Sequence, residues 1–309
     1  MPEVLVRARG LTKRFGGFTA VDGINFDLFR GEAFGFLGPN GAGKSSTMRM
    51  LGCVSPPTAG DLTILGGDPV RDGPAIRSRL GVVPQEDTLD NELTVRENLL
   101  VYGRYFGLPR KLIGERTDKL LDFVQLTERA GDQVDPLSGG MKRRLTIARS
   151  LISDPDILIL DEPTTGLDPQ ARHVVWDRLY SLKQRGVTLI LTTHYMDEAE
   201  QLCDRLVVMD HGKIAAEGAP RELIARYSTQ EVVELRFAAE AQEVAVEKIK
   251  DLSPERLELT ADRLLLYAGD GDEFLGRVHA AGIEPLTELV RRSSLEDVFL
   301  HLTGRTLID

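Results

Sequence analysis

The sequence predicts an α/β fold, a parallel sheet covered by helices on both faces, followed by a small α+β domain. Two observations carry this. Strand-like and helix-like apolar patterns alternate through most of the chain, as a parallel, doubly covered sheet requires. A glycine-rich segment, Gly38-Pro39-Asn40-Gly41-Ala42-Gly43-Lys44-Ser45, separates a buried strand pattern from a run of helix formers.

The opening is strand-rich: Val4, Val6 and Ala8 alternate with polar residues, and residues 24–28 lead through Arg30-Gly31 into an apolar strand at 32–37. A helix over 44–51 comes next, then a strand at 80–83. Between residues 94 and 151 the apolar positions recur at helical spacing, as in Leu99, Leu100, Tyr102 and Phe106, then Leu120, Leu121, Phe123 and Val124. This reads as a helical insertion. Strands at 157–160, 187–191 and 205–209 then alternate with helices at 169–184 and 196–202.

Composition shifts near Tyr227-Ser228-Thr229, which places a domain boundary between residues 225 and 226. Beyond it the order is strand (232–237), helix (242–252), hairpin (257–267), helix (272–281), strand and a final helix carrying Leu295, Val298, Phe299 and Leu302. That order predicts a ferredoxin-like α+β domain. The expected domains are thus 1–225 and 226–309.

With 309 residues, 42% hydrophobic and 28% charged, the chain has the composition of a soluble globular protein. No run approaches the roughly eighteen apolar residues a membrane helix needs, and the amino terminus lacks a basic-then-apolar leader. The formal charge of −10 argues against broad nucleic-acid binding, which depends on neutralising phosphates. Cys53 and Cys203 are far apart and outside any C-x-x-C spacing, so reduced, buried thiols and a cytosolic location are expected.

The glycine-rich segment fits G-x-x-x-x-G-K-S/T, in which backbone NH groups cradle phosphates, Lys44 reaches the outer ones and Ser45 meets Mg²⁺. In an acidic chain, binding ATP has to rest on such local groups and the helix amino terminus. The strand at 157–160 ends in Asp161-Glu162-Pro163, two carboxylates at the edge where open α/β sheets place ligands. Asp161 is the candidate Mg²⁺ holder and Glu162 the general base. Gln85, after its own strand, is placed to sense the metal or attacking water, and His194 to reach the γ-phosphate.

Together with Leu137-Ser138-Gly139-Gly140-Met141, these motifs resemble the ATP-binding cassette (ABC) ATPase family along the first 225 or so residues. The family's Q-loop looks like Gln85, its signature like residues 137–141, its Walker B like 157–162, its D-loop like Gly166-Leu167-Asp168 and its switch histidine like His194. The resemblance implies an antiparallel β subdomain beside the parallel-sheet core and helical insertion. Three positions depart from the usual pattern. Phe15 stands where a Tyr usually stacks on adenine, with Phe18 as the nearby alternative; Met141 replaces a Gln, and Ser46 a Thr.

Within the family, residues 94–106 and 137–144, Leu295-Glu296-Asp297-Val298-Phe299-Leu300 and Leu302-Thr303-Gly304-Arg305 look like the ATPases of drug-resistance and nodulation-factor exporters. This implies a separate ABC-2 type membrane permease, a drug, lipid or oligosaccharide cargo, and attachment to the inner face of the cell membrane. It also implies a head-to-tail homodimer in which ATP on Lys44 of one copy is covered by Ser138, Gly139 and Gly140 of the other. Two alternatives stand beside this: a soluble ABC ATPase without a permease, and the ATPase of an importer.

Other residues carry structural expectations. Lys142-Arg143-Arg144 reads as the solvated face of a helix rather than a nucleic-acid patch. His173, His211, His279 and His301 lack metal-ligand spacing and read as surface residues. Trp176, with Val174, Val175 and Leu179, reads as core.

Overall fold

The computed structural model describes residues 3–260 and 263–304, apart from the side chains of residues 239, 240 and 243. Arg305, at the end of the carboxyl-terminal resemblance, lies outside the described residues. The chain forms two compact units that divide between Ala219 and Pro220.

In the first unit, β1 (Val4–Phe15), β2 (Phe18–Phe29), β3 (Ala33–Leu37) and α1 (Lys44–Leu51) are followed by β4 (Ala59–Ile64), α2 (Gly73–Arg77) and β5 (Leu80–Val83). Then come α3 (Val95–Tyr105), α4 (Arg110–Phe123), α5 (Gly139–Ser150), β6 (Ile157–Asp161), α6 (Pro169–Gln184), β7 (Thr188–Thr193), α7 (Met196–Leu202), β8 (Arg205–Asp210) and β9 (Lys213–Gly218). The main sheet runs β5-β6-β7-β3-β8-β9, parallel except for the antiparallel edge strand β9. Strands β3 and β7 are buried along their whole length, the mark of a sheet covered on both faces. Gly35 in β3 permits this closeness, because a Cβ there would lie 2.5 Å from Cys203 Sγ.

A second, antiparallel sheet, β2-β1-β4, packs on the first through a core that includes Phe26, Phe34 and Phe36, with ring centroids 5.2 to 5.8 Å apart. The helical insertion has its own core, in which Val95 and Leu99 of α3 meet Leu121 of α4 and Leu145 and Ala148 of α5. Its first helix is fixed by a capping box between Thr94 and Glu97.

The second unit contains α8 (Pro220–Tyr227), β10 (Glu231–Arg236), α9 (Ala239–Asp251), β11 (Arg256–Leu259), β12 (Leu264–Ala268), α10 (Gly271–Ala280), β13 (Thr287–Arg292) and α11 (Leu295–Thr303). Its antiparallel sheet has the order β11-β12-β10-β13, the ferredoxin-like βαββαβ arrangement. Helices α9 and α10 cover one face through Ala245, Ile249, Phe274 and Val278, while Leu300 of α11 packs against Val232, Leu265 and Tyr267 on the other. The structural divide falls before the expected boundary because α8 packs on α11 and so belongs to this unit. Among the described residues, no helix is long and apolar enough to cross a membrane.

Candidate nucleotide site

The loop from β3 to α1 is shaped by glycines that no other residue can replace. A Cβ on Gly38 would sit 2.3 Å from Met209 O, and Gly43, at φ 101°, would meet Ala20 O at 2.4 Å. Behind this loop the Lys44 ammonium, only 4% exposed, donates to Gly38 O (2.6 Å) and Pro39 O (3.0 Å) and lies 3.5 Å from Glu162 Oε1. Burial pulls its pKa down, against the opposing pull of Glu162 and Asp161.

Strand pairing brings the rest together. In the parallel register of β6 and β7, Asp161 lies opposite Thr192, whose hydroxyl donates to Asp161 Oδ1 at 2.5 Å. Ser45 Oγ reaches the same oxygen at 3.5 Å. Glu162 comes next at φ 45°, a left-handed conformation that costs about 1–3 kcal/mol in a side chain of this size. Its NH is held by Thr192, and its Oε2 accepts from Gln85 Nε2 and Thr165 Oγ1, both at 3.1 Å. His194 Nδ1 stands 3.4 Å from the same oxygen, in close contact but without hydrogen-bond alignment.

The His194 ring, then Lys44 and Thr165, hold the Glu162 carboxyl down at about 2 against the effect of burial. It is therefore fully charged at neutral pH, yet binds a proton weakly while these partners stay in place.

A cavity of about 190 Å³ opens over this cluster, lined by the phosphate loop, Ser45, Ser46, Gln85, Glu162 and Phe18. Phe15 is not among its lining residues; it pairs with Phe18 across the tight β1–β2 turn and lies 5.1 Å from the Lys13 ammonium. The structure thus sets Phe18, the alternative ring, at the cavity wall. Ser45 Oγ and the Asp161 carboxylate are hard oxygen donors on one edge, which suits Mg²⁺. No cluster of three His, Cys, Asp or Glu side chains exists among the described residues, so beyond these two and the amide oxygen of Gln85 the ligands would be phosphate and water oxygens.

Ser138, Gly139, Gly140 and Asp168 form a second locus. Ser138 caps α5 by accepting from Met141 N, and Asp168 caps α6 by accepting from Ala171 N. The helix starts are in close contact, since a Cβ on Gly140 would lie 2.8 Å from Ala171 Cβ. None of these residues lines the cavity over Lys44.

The solvated reading of Lys142-Arg143-Arg144 is wrong for the two arginines. Arg143 donates to Pro84 O, Asp161 O, Glu162 O and Pro163 O, and Arg144 to Val124 O. The error is physical: helical spacing reveals which face carries charge, not that carbonyl-rich turns lie against it. Burial lowers the Arg143 pKa to about 10, so it remains charged at neutral pH.

His173, His211, His279 and His301 are exposed, and Trp176 is core, donating to the buried Glu198. Cys203 is buried and Cys53 half-buried, both as free thiols.

Comparison with known proteins accords with this geometry. The ABC transporter family matches residues 21–165, and the family described as Nodulation factor export protein NodI, C-terminal domain, matches residues 240–304. The Nod factor export ATP-binding protein I of Rhizobium sp. (strain N33) is 49% identical over 99% of both chains. That of Paraburkholderia xenovorans (strain LB400) is 48% identical over the full length of both. Among solved structures, cbiO1 from Clostridium perfringens, part of the ABC transporter complex cbiONQ, has TM-score 0.67 and 30% identity, covering 72% of this chain and 91% of its own. The cassette MJ0796, dimeric in a post-hydrolysis state with ADP and Pi, has TM-score 0.63 and 27% identity, covering 69% of this chain and 98% of its own. The phosphate loop, the carboxylate pair beside it and these full-length relatives make this chain an ATP-hydrolysing member of the ABC transporter ATP-binding family, in the Nod factor export ATP-binding protein I group.

Proposed function

We propose that the chain powers export of a Nod-factor-type cargo through a separate ABC-2 type permease, working as a head-to-tail homodimer at the inner face of the cell membrane. The observation that carries this reading is the full-length likeness, which includes the carboxyl-terminal unit, to proteins named for Nod factor export.

Lys44, the loop NH groups and the amino terminus of α1 hold the outer phosphates of ATP. Ser45 and Asp161, with Gln85 close by, would hold Mg²⁺, which when bound neutralises charge on the phosphate oxygens. Glu162 orients and polarises the attacking water, with Gln85 fixing its carboxylate and His194 beside it. Phosphate contact draws the Lys44 ammonium off Glu162 and so raises the proton affinity of that carboxylate.

The cavity is lined by one chain's loop but lacks the donors that should face the γ-phosphate. A second copy supplies them through the exposed Ser138 and Gly139 and the adjoining Gly140 at the start of α5, with Asp168 beside them. The dimeric state of the similar cassette MJ0796 supports this pairing. Loss of the bridging phosphate then lets the dimer open, and Gln85, at the junction of sheet and helical insertion, passes the motion to the permease.

Affinity capture of the chain from detergent-solubilised membranes of its source cell, followed by mass spectrometry, tests the exporter role. A stoichiometric polytopic permease is expected. Ribosomal, nucleic-acid or no membrane partners would overturn it.

A further inference from the structure

One side chain ties together three segments that sequence separates widely. The Arg143 guanidinium projects from the second turn of α5, donating through Nε to Pro163 O (2.6 Å) and through Nη2 to Asp161 O (3.0 Å) and Glu162 O (3.1 Å). Nη1 donates to the carbonyl of Pro84, the residue before Gln85. In an extended strand successive carbonyls alternate in direction. Here three in a row converge on one group, because the positive φ of Glu162 turns the chain between them.

A second arginine on the same helix grips the far side of the Gln85 segment. Arg149 donates through Nη1 to Thr88 O at 2.6 Å and through Nη2 to the Thr88 hydroxyl, with its guanidinium 4.9 Å from the Tyr102 ring centroid. Helix α5 therefore holds residues 84 and 88 at once, and between them Gln85 donates to Glu162 Oε2. The helix is capped by Ser138, the residue that should meet the γ-phosphate of the opposing site.

We propose that Arg143 is a positioning residue for ATP hydrolysis: it holds the left-handed turn that aims Glu162 and fastens Gln85 to it. Any displacement of the signature helix is thereby delivered to the water-orienting carboxylate of the same chain. This rests on the assignment of Glu162 and Gln85 to hydrolysis. A lysine cannot do the same work, since one ammonium lacks the planar fork that reaches four carbonyls in different directions.

The test uses the full-length chain with steady-state ATP hydrolysis and equilibrium ATP binding measured on the same samples. Arg143→Met should lower kcat on the order of tenfold to a hundredfold, the cost of a small misplacement of a catalytic group, with ATP Kd almost unchanged. Arg143→Lys should recover part of the loss. Combining Arg143→Met with Gln85→Ala should cost less than the product of the two single losses, because the two residues act on one carboxylate.

Wild-type kcat in folded Arg143→Met, or a loss of kcat matched by an equal loss of ATP affinity, would overturn the proposal. If Arg143→Met does not fold, Arg143→Lys decides in the same way. Wild-type turnover in Gln85→Ala and Glu162→Gln would instead remove the underlying assignment, a failure distinguishable from that of Arg143 alone.

Discussion

Each unit of the chain buries a carboxylate against a cation, and the two arrangements end differently. In the first unit Glu162 meets Lys44, His194, Gln85 and Thr165, adopts a left-handed backbone and faces a cavity. In the second, Asp297 is 1% exposed and accepts both arms of the Arg291 fork, at 2.7 and 2.9 Å. Ser294 closes a capping box on it, Tyr267 donates to it at 3.2 Å, and Arg291 also holds Glu234. Both carboxyls have pKa values below the usual range. A perturbed acid is therefore not enough to mark an active site. The Asp297 network is completed by its own unit and relaxed in backbone, as a structural lock should be. The Glu162 cluster is strained and open on one side, and the donors that should close it sit elsewhere on the same chain.

The largest contrast should come from Glu162→Gln. Loss of a general base typically costs about a hundredfold to ten-thousandfold, so phosphate release should nearly vanish while equilibrium ATP binding persists. Wild-type turnover would take Glu162 out of the mechanism. The mirror experiment is Arg291→Met, which leaves Asp297 buried without its cation and should destabilise the second unit by about 3–5 kcal/mol. Urea unfolding would register this as a transition shifted to lower denaturant, and ATP affinity of the folded protein should not move. If affinity falls with stability intact, the lock has a functional role as well.

Acid should separate the units less sharply. Burial works against the Asp297 charge, but Arg291 and the Ser294 NH outweigh it and hold the carboxyl below its unfolded value. A depressed carboxyl contributes stability that is complete above the unfolded pKa of about 4 and is lost as pH falls through the folded value. Circular dichroism of Asp297→Asn against the parent should therefore show a stability gap at pH 7 that closes on acidification below about pH 4. A gap independent of pH would mean that the Asp297 charge is not the source.

The smallest effect concerns the adenine platform. An aromatic contact of this kind is worth about 0.5–1.5 kcal/mol, so Phe18→Ala should weaken ATP binding by roughly twofold to tenfold, and more than Phe15→Ala. The reverse order would restore the ring that the sequence pattern favours.

Much of this architecture is legible in the sequence because its signals are local. Helices α6 and α7 follow from apolar spacing and α1 from its run of helix formers, and the buried run at β6 announces the carboxylates at its end. Lys44, Ser45, Gln85, Asp161, Glu162 and His194 read as one site from sequence, and the strand register does bring them together. What stays hidden depends on tertiary neighbours. Strand β4 buries only Leu62 and Ile64, and β9 only Ala216, too little alternation to see in advance. Arg143 lies in a basic triplet whose composition suggests solvent, and only the fold shows the carbonyls it meets. Likewise, α8 carries no mark of the unit it joins until α11 is seen against it.

The most direct measurement exploits the open side of the Glu162 cluster. Full-length Lys44→Ala and Ser138→Arg chains, each inactive alone, should be mixed in equal amounts and assayed for ATP hydrolysis. If two copies share each site, mixed dimers carry one intact pairing of Lys44 with Ser138, and hydrolysis should return to a substantial fraction of the wild-type rate. If every site is complete within one chain, the mixture should remain as inactive as its components, which would contradict the shared site.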